Sequence, residues 1–141
     1  MLIVDDSPED RESLRRLLGK IGVSHPIVFC QTGEEALDYL LHRGTYSESD
    51  SAPRPGVILL DLNLPGASGH DVLARIKEHS PLRRIPVIIL TSSDRRDDIE
   101  QSYDQGANSY VQKLADLDQF ARSLAAFKGF WLDDALVPEV R

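Results

Sequence analysis

Val57-Ile58-Leu59-Leu60-Asp61-Leu62-Asn63-Leu64-Pro65 is the stretch on which the fold turns. A continuous apolar run ending in a carboxylate fits a strand buried on both faces, the central strand of a parallel sheet. Three other runs also end in residues suited to phosphate chemistry. Leu2-Ile3-Val4 leads into Asp5-Asp6, Val87-Ile88-Ile89-Leu90 into Thr91, and Tyr110-Val111-Gln112 into Lys113. As parallel strands of one sheet they would bring three acids, a hydroxyl and an ammonium to its carboxyl edge, where open α/β sheets bind ligands.

Helical segments fill the gaps between these runs. Ser7 is an N-cap with Pro8 in the first turn, and Leu14, Leu17, Leu18 and Ile21 recur at helical spacing before Gly22. Pro26 to Gln31 reads as a further strand, and Thr32-Gly33-Glu34-Glu35 as a capping box for a helix with Ala36, Leu37, Leu40 and Leu41 on one face. Gly44 to Pro55 is a polar loop, long for a simple connection. A third helix turns Val72, Leu73 and Ile76 inward. Asp94 is expected to cap a fourth, with Ile99 and Tyr103 inward and Gly106 at its end. Asp116 is expected to cap a fifth, with Leu117, Phe120, Leu124 and Phe127 inward. Five βα units joined by right-handed crossovers make an α/β three-layer sandwich.

The chain has 141 residues, enough for one domain, and 41% hydrophobic residues, enough for a core. Its net charge of -7 argues against nucleic acid as a partner, since phosphate backbones select basic surfaces. Arg83-Arg84 reads as a solvated loop. Cys30 is a lone cysteine, most simply a small core residue. No signal peptide is evident, because Asp5 and Asp6 interrupt the start. No apolar run reaches the ~20 residues that span a bilayer. A cytoplasmic protein without membrane contact is the expectation.

Asp5, Asp6 and Asp61 on adjacent strand ends repel one another unless a cation intervenes. Mg²⁺ suits an oxygen set of this kind, with Mn²⁺ as a substitute. Asp6 and Asp61 are the expected direct ligands, Asp5 ligates directly or through water, and the backbone carbonyl of Asn63 turns back to the ion. Asp61 reads as a residue that is phosphorylated. Lys113 and the Thr91 hydroxyl would then compensate the remaining phosphoryl oxygens. Taken singly, each residue has a plainer reading: turn chemistry for Asp61 and Asn63, a helix approach for Asp5 and Asp6, a loop start for Thr91, a surface lysine for Lys113. Their conjunction on four strand ends favours the site.

Val4-Asp5-Asp6, Leu59 through Pro65 with Gly69, Ile89-Leu90-Thr91-Ser92, and Gly106-Ala107 through Tyr110 to Lys113 resemble the receiver domain of two-component response regulators over nearly the whole chain. The resemblance implies a flavodoxin-like (βα)5 fold with a parallel five-stranded sheet of order 2-1-3-4-5. It implies a receiver over 1–132 and a tail over 133–141 with no output domain. It makes Asp61 the phosphoacceptor, Asp5 and Asp6 the acidic pair, Thr91 the switch hydroxyl, Tyr110 the switch aromatic and Lys113 the conserved-type lysine. For Tyr110, packing on the last helix is an equal alternative. The phosphodonor is a phosphohistidine on a sensor histidine kinase, and the chain is a phosphoacceptor rather than an enzyme, with slow self-dephosphorylation.

Tyr39 to Tyr46, the following loop, and Phe127-Lys128-Gly129-Phe130-Trp131-Leu132 resemble the stand-alone regulators of bacterial and cyanobacterial phytochromes. That resemblance implies a bacteriophytochrome partner and a homodimer through helix 4, strand 5 and helix 5. Phe130 and Trp131 are then either dimer contacts or a lid on the protein's own core. Receivers carry proline after the lysine, where this chain has Leu114. The Lys113–Leu114 bond is either trans, or cis at a cost of about 2.5–4 kcal/mol. Met1 leaves a short first strand. Two other functions stand beside the main one. A phosphorylation-independent interaction module is the first. The second is a phosphatase of the haloacid dehalogenase type, which expects an acid two residues after its nucleophile, where Asn63 stands.

Overall fold

The computed structural model describes residues 1–48 and 52–138. Part of the Gly44–Pro55 loop and the end of the 133–141 tail lie outside the described residues. The element order is β1 (Leu2–Val4), α1 (Pro8–Lys20), β2 (Val28–Cys30), α2 (Gly33–Leu41), β3 (Ile58–Leu60), α3 (Gly69–Glu78), β4 (Val87–Thr91), α4 (Arg96–Asp104), β5 (Ser109–Gln112) and α5 (Leu117–Phe127), followed by a π-helical turn over Lys128–Asp134. The sheet has five parallel strands in the order β2-β1-β3-β4-β5.

Strand alternation divides the interior into two cores. Leu2, Val4, Ile58, Leu60, Val87 and Ile89 face one side, where Ala36, Leu37 and Leu40 of α2 and Val72, Leu73 and Ile76 of α3 cover them. Ile3, Leu59, Ile88 and Leu90 face the other, against Leu14 and Leu18 of α1 and Phe120, Leu124 and Phe127 of α5. β1, β3 and Val87–Leu90 of β4 are apolar at every position because both faces are buried. Cys30 is buried with them.

The helix starts follow local chemistry. Ser7 Oγ accepts from Asp10 N, Thr32 Oγ1 from Glu35 N, and Asp116 Oδ1 from Asp118 N and Gln119 N. The reciprocal capping box forms at α3, between Ser68 and Asp71. The expected cap at Asp94 is not found. Arg95 occupies that position without a side-chain bond, and Ser93 Oγ accepts from Arg95 N instead. Two residues expected inside are outside: Tyr103 is 49% and Leu117 61% exposed. In α4 the buried residue is Ser102, so the helix touches the core through a small polar side chain. Leu117 opens α5 before the helix has turned its apolar face to the sheet. The second strand is shorter than Pro26 to Gln31, with pairing confined to Val28–Cys30. There is no cis peptide bond among the described residues, so the Lys113–Leu114 bond is trans.

Candidate functional site

Parallel pairing continues one residue past the strands and carries the polar residues with it. Asp5 N donates to Cys30 O at 3.0 Å, Asp61 N to Val4 O at 3.0 Å, and Lys113 N to Thr91 O at 2.7 Å. Asp5, Asp61, Thr91 and Lys113 are thereby fixed by backbone register at the carboxyl edge, where β1 and β3 lie side by side.

Asp5, Asp6 and Asp61 each offer a carboxylate oxygen, and these oxygens lie within 4.8 Å of one another. Asp5 and Asp61 are buried and Asp6 is exposed. Lys113 Nζ sits against this cluster, 2.6 Å from Asp5 Oδ2, 2.8 Å from Asp61 Oδ2 and 2.8 Å from Asp10 Oδ2. Burial opposes the ammonium charge, but its hydrogen bonds to Asp10, Asp5 and Asp61 outweigh it and hold the Lys113 pKa above its ordinary value. Burial is the largest influence on Asp5 and raises its pKa, against the lowering effects of Lys113 and Ser7 N. One ammonium therefore faces an acidic set that it does not neutralise. The excess negative charge, all on hard oxygen donors, fits a divalent cation.

Further bonds hold the cluster in shape. Ser7 N donates to Asp5 Oδ1 at 2.9 Å, and Arg11 Nη1 to Asp5 O at 2.8 Å. Asn63 N donates to Asp61 Oδ1 at 3.1 Å, which winds the β3–α3 loop around the carboxylate. Gly69 N donates to Leu62 O at 2.9 Å, and a Cβ at Gly69 would run into Asp61 O and Leu62 Cα. The absence of a side chain there lets α3 start directly behind Asp61.

Thr91 is fully buried, and its Oγ1 has no hydrogen-bond partner among the described residues. Buried hydroxyls are nearly always paired, so an orphan at this edge points to a ligand-facing group. Tyr110 packs against the core on the α2–α3 side rather than on α5. Its hydroxyl donates to Ser93 O at 2.9 Å, two residues beyond Thr91. Burial raises the Tyr110 pKa, keeping the phenol a donor.

The structure thus gathers Asp5, Asp6, Asp61, Asn63 and Lys113 at one edge, with Thr91 at the end of the neighbouring strand. Phe130 and Trp131 lie apart from it, beyond α5. Their rings meet edge to face at 5.1 Å. Trp131 packs on the α1–α5 core, as a lid would, whereas Phe130 is 57% exposed. Two neighbours of the site went unread in the sequence: Asp10, a partner of Lys113, and Arg11. Their position was the signal, since the first turn of a helix that follows β1 directly must face the same edge.

A five-stranded parallel sheet of this order, with paired acids, a strand-end aspartate, a hydroxyl and a lysine at its carboxyl edge, defines the receiver class of phosphoryl-accepting signalling domains. The chain belongs to the response regulator receiver domain family, whose pattern matches residues 1–125. Members of this family are phosphoacceptors of two-component signalling. The response regulator Rcp1 of Synechocystis sp. is 36% identical over 138 residues, covering 98% of this chain and 92% of Rcp1. The phosphorylated cyanobacterial phytochrome response regulator RcpA has a TM-score of 0.90 at 40% identity, over 98% of this chain and 96% of that one. The Mn²⁺-bound form of Rcp1 has a TM-score of 0.89 at 36% identity, over 98% and 97% of the two chains. No helix among the described residues is long and apolar enough to cross a membrane.

Proposed function

We propose that Asp61 accepts a phosphoryl group from the phosphohistidine of a sensor histidine kinase, and that the kinase is a phytochrome. The observation that carries the first part is the set of contacts around Lys113, whose ammonium bridges the buried carboxylates of Asp5 and Asp61 beside the unpartnered Thr91 hydroxyl. The second part is supported by the phytochrome response regulators among the relatives.

Asp5, Asp6 and Asp61, with the Asn63 carbonyl, are the residues that would hold Mg²⁺. When bound, that ion supplies charge compensation for one phosphoryl oxygen and for the acidic cluster. Asp61 supplies the nucleophile. One carboxylate oxygen forms a bond to phosphorus as the phosphorus–nitrogen bond of the donor breaks, and the electron pair leaves with the imidazole nitrogen. Lys113, already placed against Asp61 Oδ2, pairs with a second phosphoryl oxygen. The Thr91 hydroxyl donates to a third. The product is an acyl phosphate carrying roughly -2 charge. Water attack on it later returns the aspartate, a slow self-dephosphorylation rather than turnover of an external substrate.

The new contacts to Thr91 pull on a loop that Tyr110 grips through Ser93 O. These contacts are differential, as a two-state switch requires. The output proposed is pairing of two copies through α4, β5 and α5, with exposed Phe130 at the margin of that face.

The test is intact mass with Mg²⁺ and acetyl phosphate, with size-exclusion alongside. One added phosphoryl group, lost without Mg²⁺ and lost in Asp61→Asn, is the expected result. No uptake by folded, Mg²⁺-binding protein favours a phosphorylation-independent module. Turnover of a generic phosphate monoester would favour a phosphatase instead.

A further inference from the structure

A second polar network crosses the molecule near the site without touching Lys113. His70, next to Gly69 on α3, is 14% exposed at its side chain, and its Nε2 lies 3.2 Å from Asp98 Oδ1 on α4. Its Nδ1 lies 3.2 Å from Gln105 Oε1. A carboxylate only accepts, so Nε2 donates to Asp98. The other oxygen of Asp98 accepts from Ser93 Oγ at 2.6 Å, and Ser93 O accepts from Tyr110 Oη at 2.9 Å.

His70, Asp98, Ser93 and Tyr110 therefore form one chain from α3 through α4 to β5, with the β4–α4 loop held in the middle. At its α3 end it is anchored beside Asp61, because Gly69 N is bonded to Leu62 O. At the loop end it grips Ser93, while Thr91, two residues earlier, keeps a hydroxyl with no partner among the described residues. Gln112 Nε2 also reaches this loop, donating to Ser92 O at 3.3 Å. Ser102 is the buried residue of α4, so that helix has little apolar grip on the core.

We infer that His70 is a positioning residue for phosphoryl transfer: through Asp98 and Ser93 it holds the β4–α4 loop so that the Thr91 hydroxyl stays free for the incoming phosphoryl group. The inference rests on the Asp61 phosphoacceptor reading. It adds a control element outside the acidic cluster. A side chain that fills the same space without a donor should let the loop relax. One that reproduces Nε2 should not, and the glutamine amide places a donor close to the histidine Nε2.

The experiment compares the parent with His70→Leu, His70→Gln and Asp98→Asn. Three measurements are made: rate of uptake from acetyl phosphate by intact mass, Mg²⁺ affinity by calorimetry, and backbone amide resonances of Thr91 and Ser93 with Mg²⁺ alone. Uptake should slow about tenfold in His70→Leu and Asp98→Asn, as loss of positioning does. It should recover in His70→Gln, and the double variant His70→Leu with Asp98→Asn should be no slower than either single one. Mg²⁺ affinity should stay the same throughout, since the network does not touch the acidic cluster. The Thr91 and Ser93 resonances should shift in His70→Leu and return in His70→Gln. Parent-rate uptake in His70→Leu, no rescue by glutamine, or an equal loss of Mg²⁺ affinity would overturn the inference. A parent that takes up no phosphoryl group would refute the Asp61 reading instead, and the resonances would still decide the positioning.

Discussion

Lys113 Nζ stands 2.8 Å from Asp61 Oδ2, although the two residues follow strands β5 and β3, which are separated in the sheet by β4. The lysine reaches over the end of the intervening strand, where Thr91 lies. It acts as an internal counterion to carboxylates that a divalent cation would also seek. Lys113→Met should therefore bind Mg²⁺ about tenfold more tightly, because a cation some 4 Å or less away no longer competes. The same variant should take up phosphoryl groups about a hundredfold more slowly, having lost a preorganised charge for the transferring group. Calorimetry for the ion and mass kinetics for the transfer measure the two effects, which run in opposite directions.

Thr91 offers a cleaner separation of stability from function. Its hydroxyl is buried without a partner, a group that costs more to bury than a methyl. Thr91→Val keeps the shape and removes the unpaired oxygen. It should stabilise the unphosphorylated protein by about 1 kcal/mol in urea unfolding. Phosphoryl uptake should slow, and the phosphorylated form should lose its change in elution volume. A destabilised Thr91→Val would mean that the hydroxyl has a partner in solution.

Gly69 tests the backbone behind Asp61. An alanine methyl there would meet Asp61 O and Leu62 Cα, both backbone atoms that cannot step aside. Gly69→Ala should cost about 3 kcal/mol, in the range of strongly overpacked sites. Thermal unfolding reads the loss. Mg²⁺ affinity should fall with it, because Asp61 must shift for the helix to form.

Asp98 gives a pH dependence with a definite sign. The Ser93 hydroxyl, then His70, hold its carboxyl below the ordinary carboxylate range. A depressed folded-state pKa contributes stability that is present above the unfolded value of ~3.9 and is lost as pH falls through the folded one. Urea unfolding followed downward from pH ~5 should show a shallower acid loss in Asp98→Asn than in the parent.

The strand-end pattern was readable from residue type alone because β1, β3 and β4 are buried on both faces. Apolar runs cannot continue past the point where the chain meets the open edge, so the first polar residue marks the site. Gly69 belonged to the family pattern, and the clash with Asp61 O supplies its reason. The start of α4 was not readable. Asp94 has the right residue type for a cap, but Ser93 satisfies the helix while also serving Asp98, and one residue's choice between those roles depends on a neighbour from another helix. The His70–Asp98 pair is hidden for the same reason. Its members are 28 residues apart and meet only because α3 and α4 pack side by side. Tyr103 shows the limit of periodicity, since a helix with a serine at its buried position leaves its aromatic residue in water.

Phe130 and Trp131 are adjacent in sequence and touch each other, yet the structure gives them different work. Trp131 packs on the α1–α5 core and Phe130 faces solvent at 57% exposure. A groove of about 610 Å³ lies between β5 and the end of α5, with Phe127, Phe130 and Trp131 among its walls. If two copies pair there, Phe130 contributes to association and Trp131 to folding. Phe130→Ser should leave the melting temperature of the monomer unchanged and weaken self-association, read by sedimentation at several concentrations. Trp131→Ser should lower stability by about 2–3 kcal/mol, the effect of truncating a large, partly buried aromatic. Equal effects of the two substitutions on melting would show that both rings belong to the lid, and the pairing face would then lie elsewhere on α4 and β5.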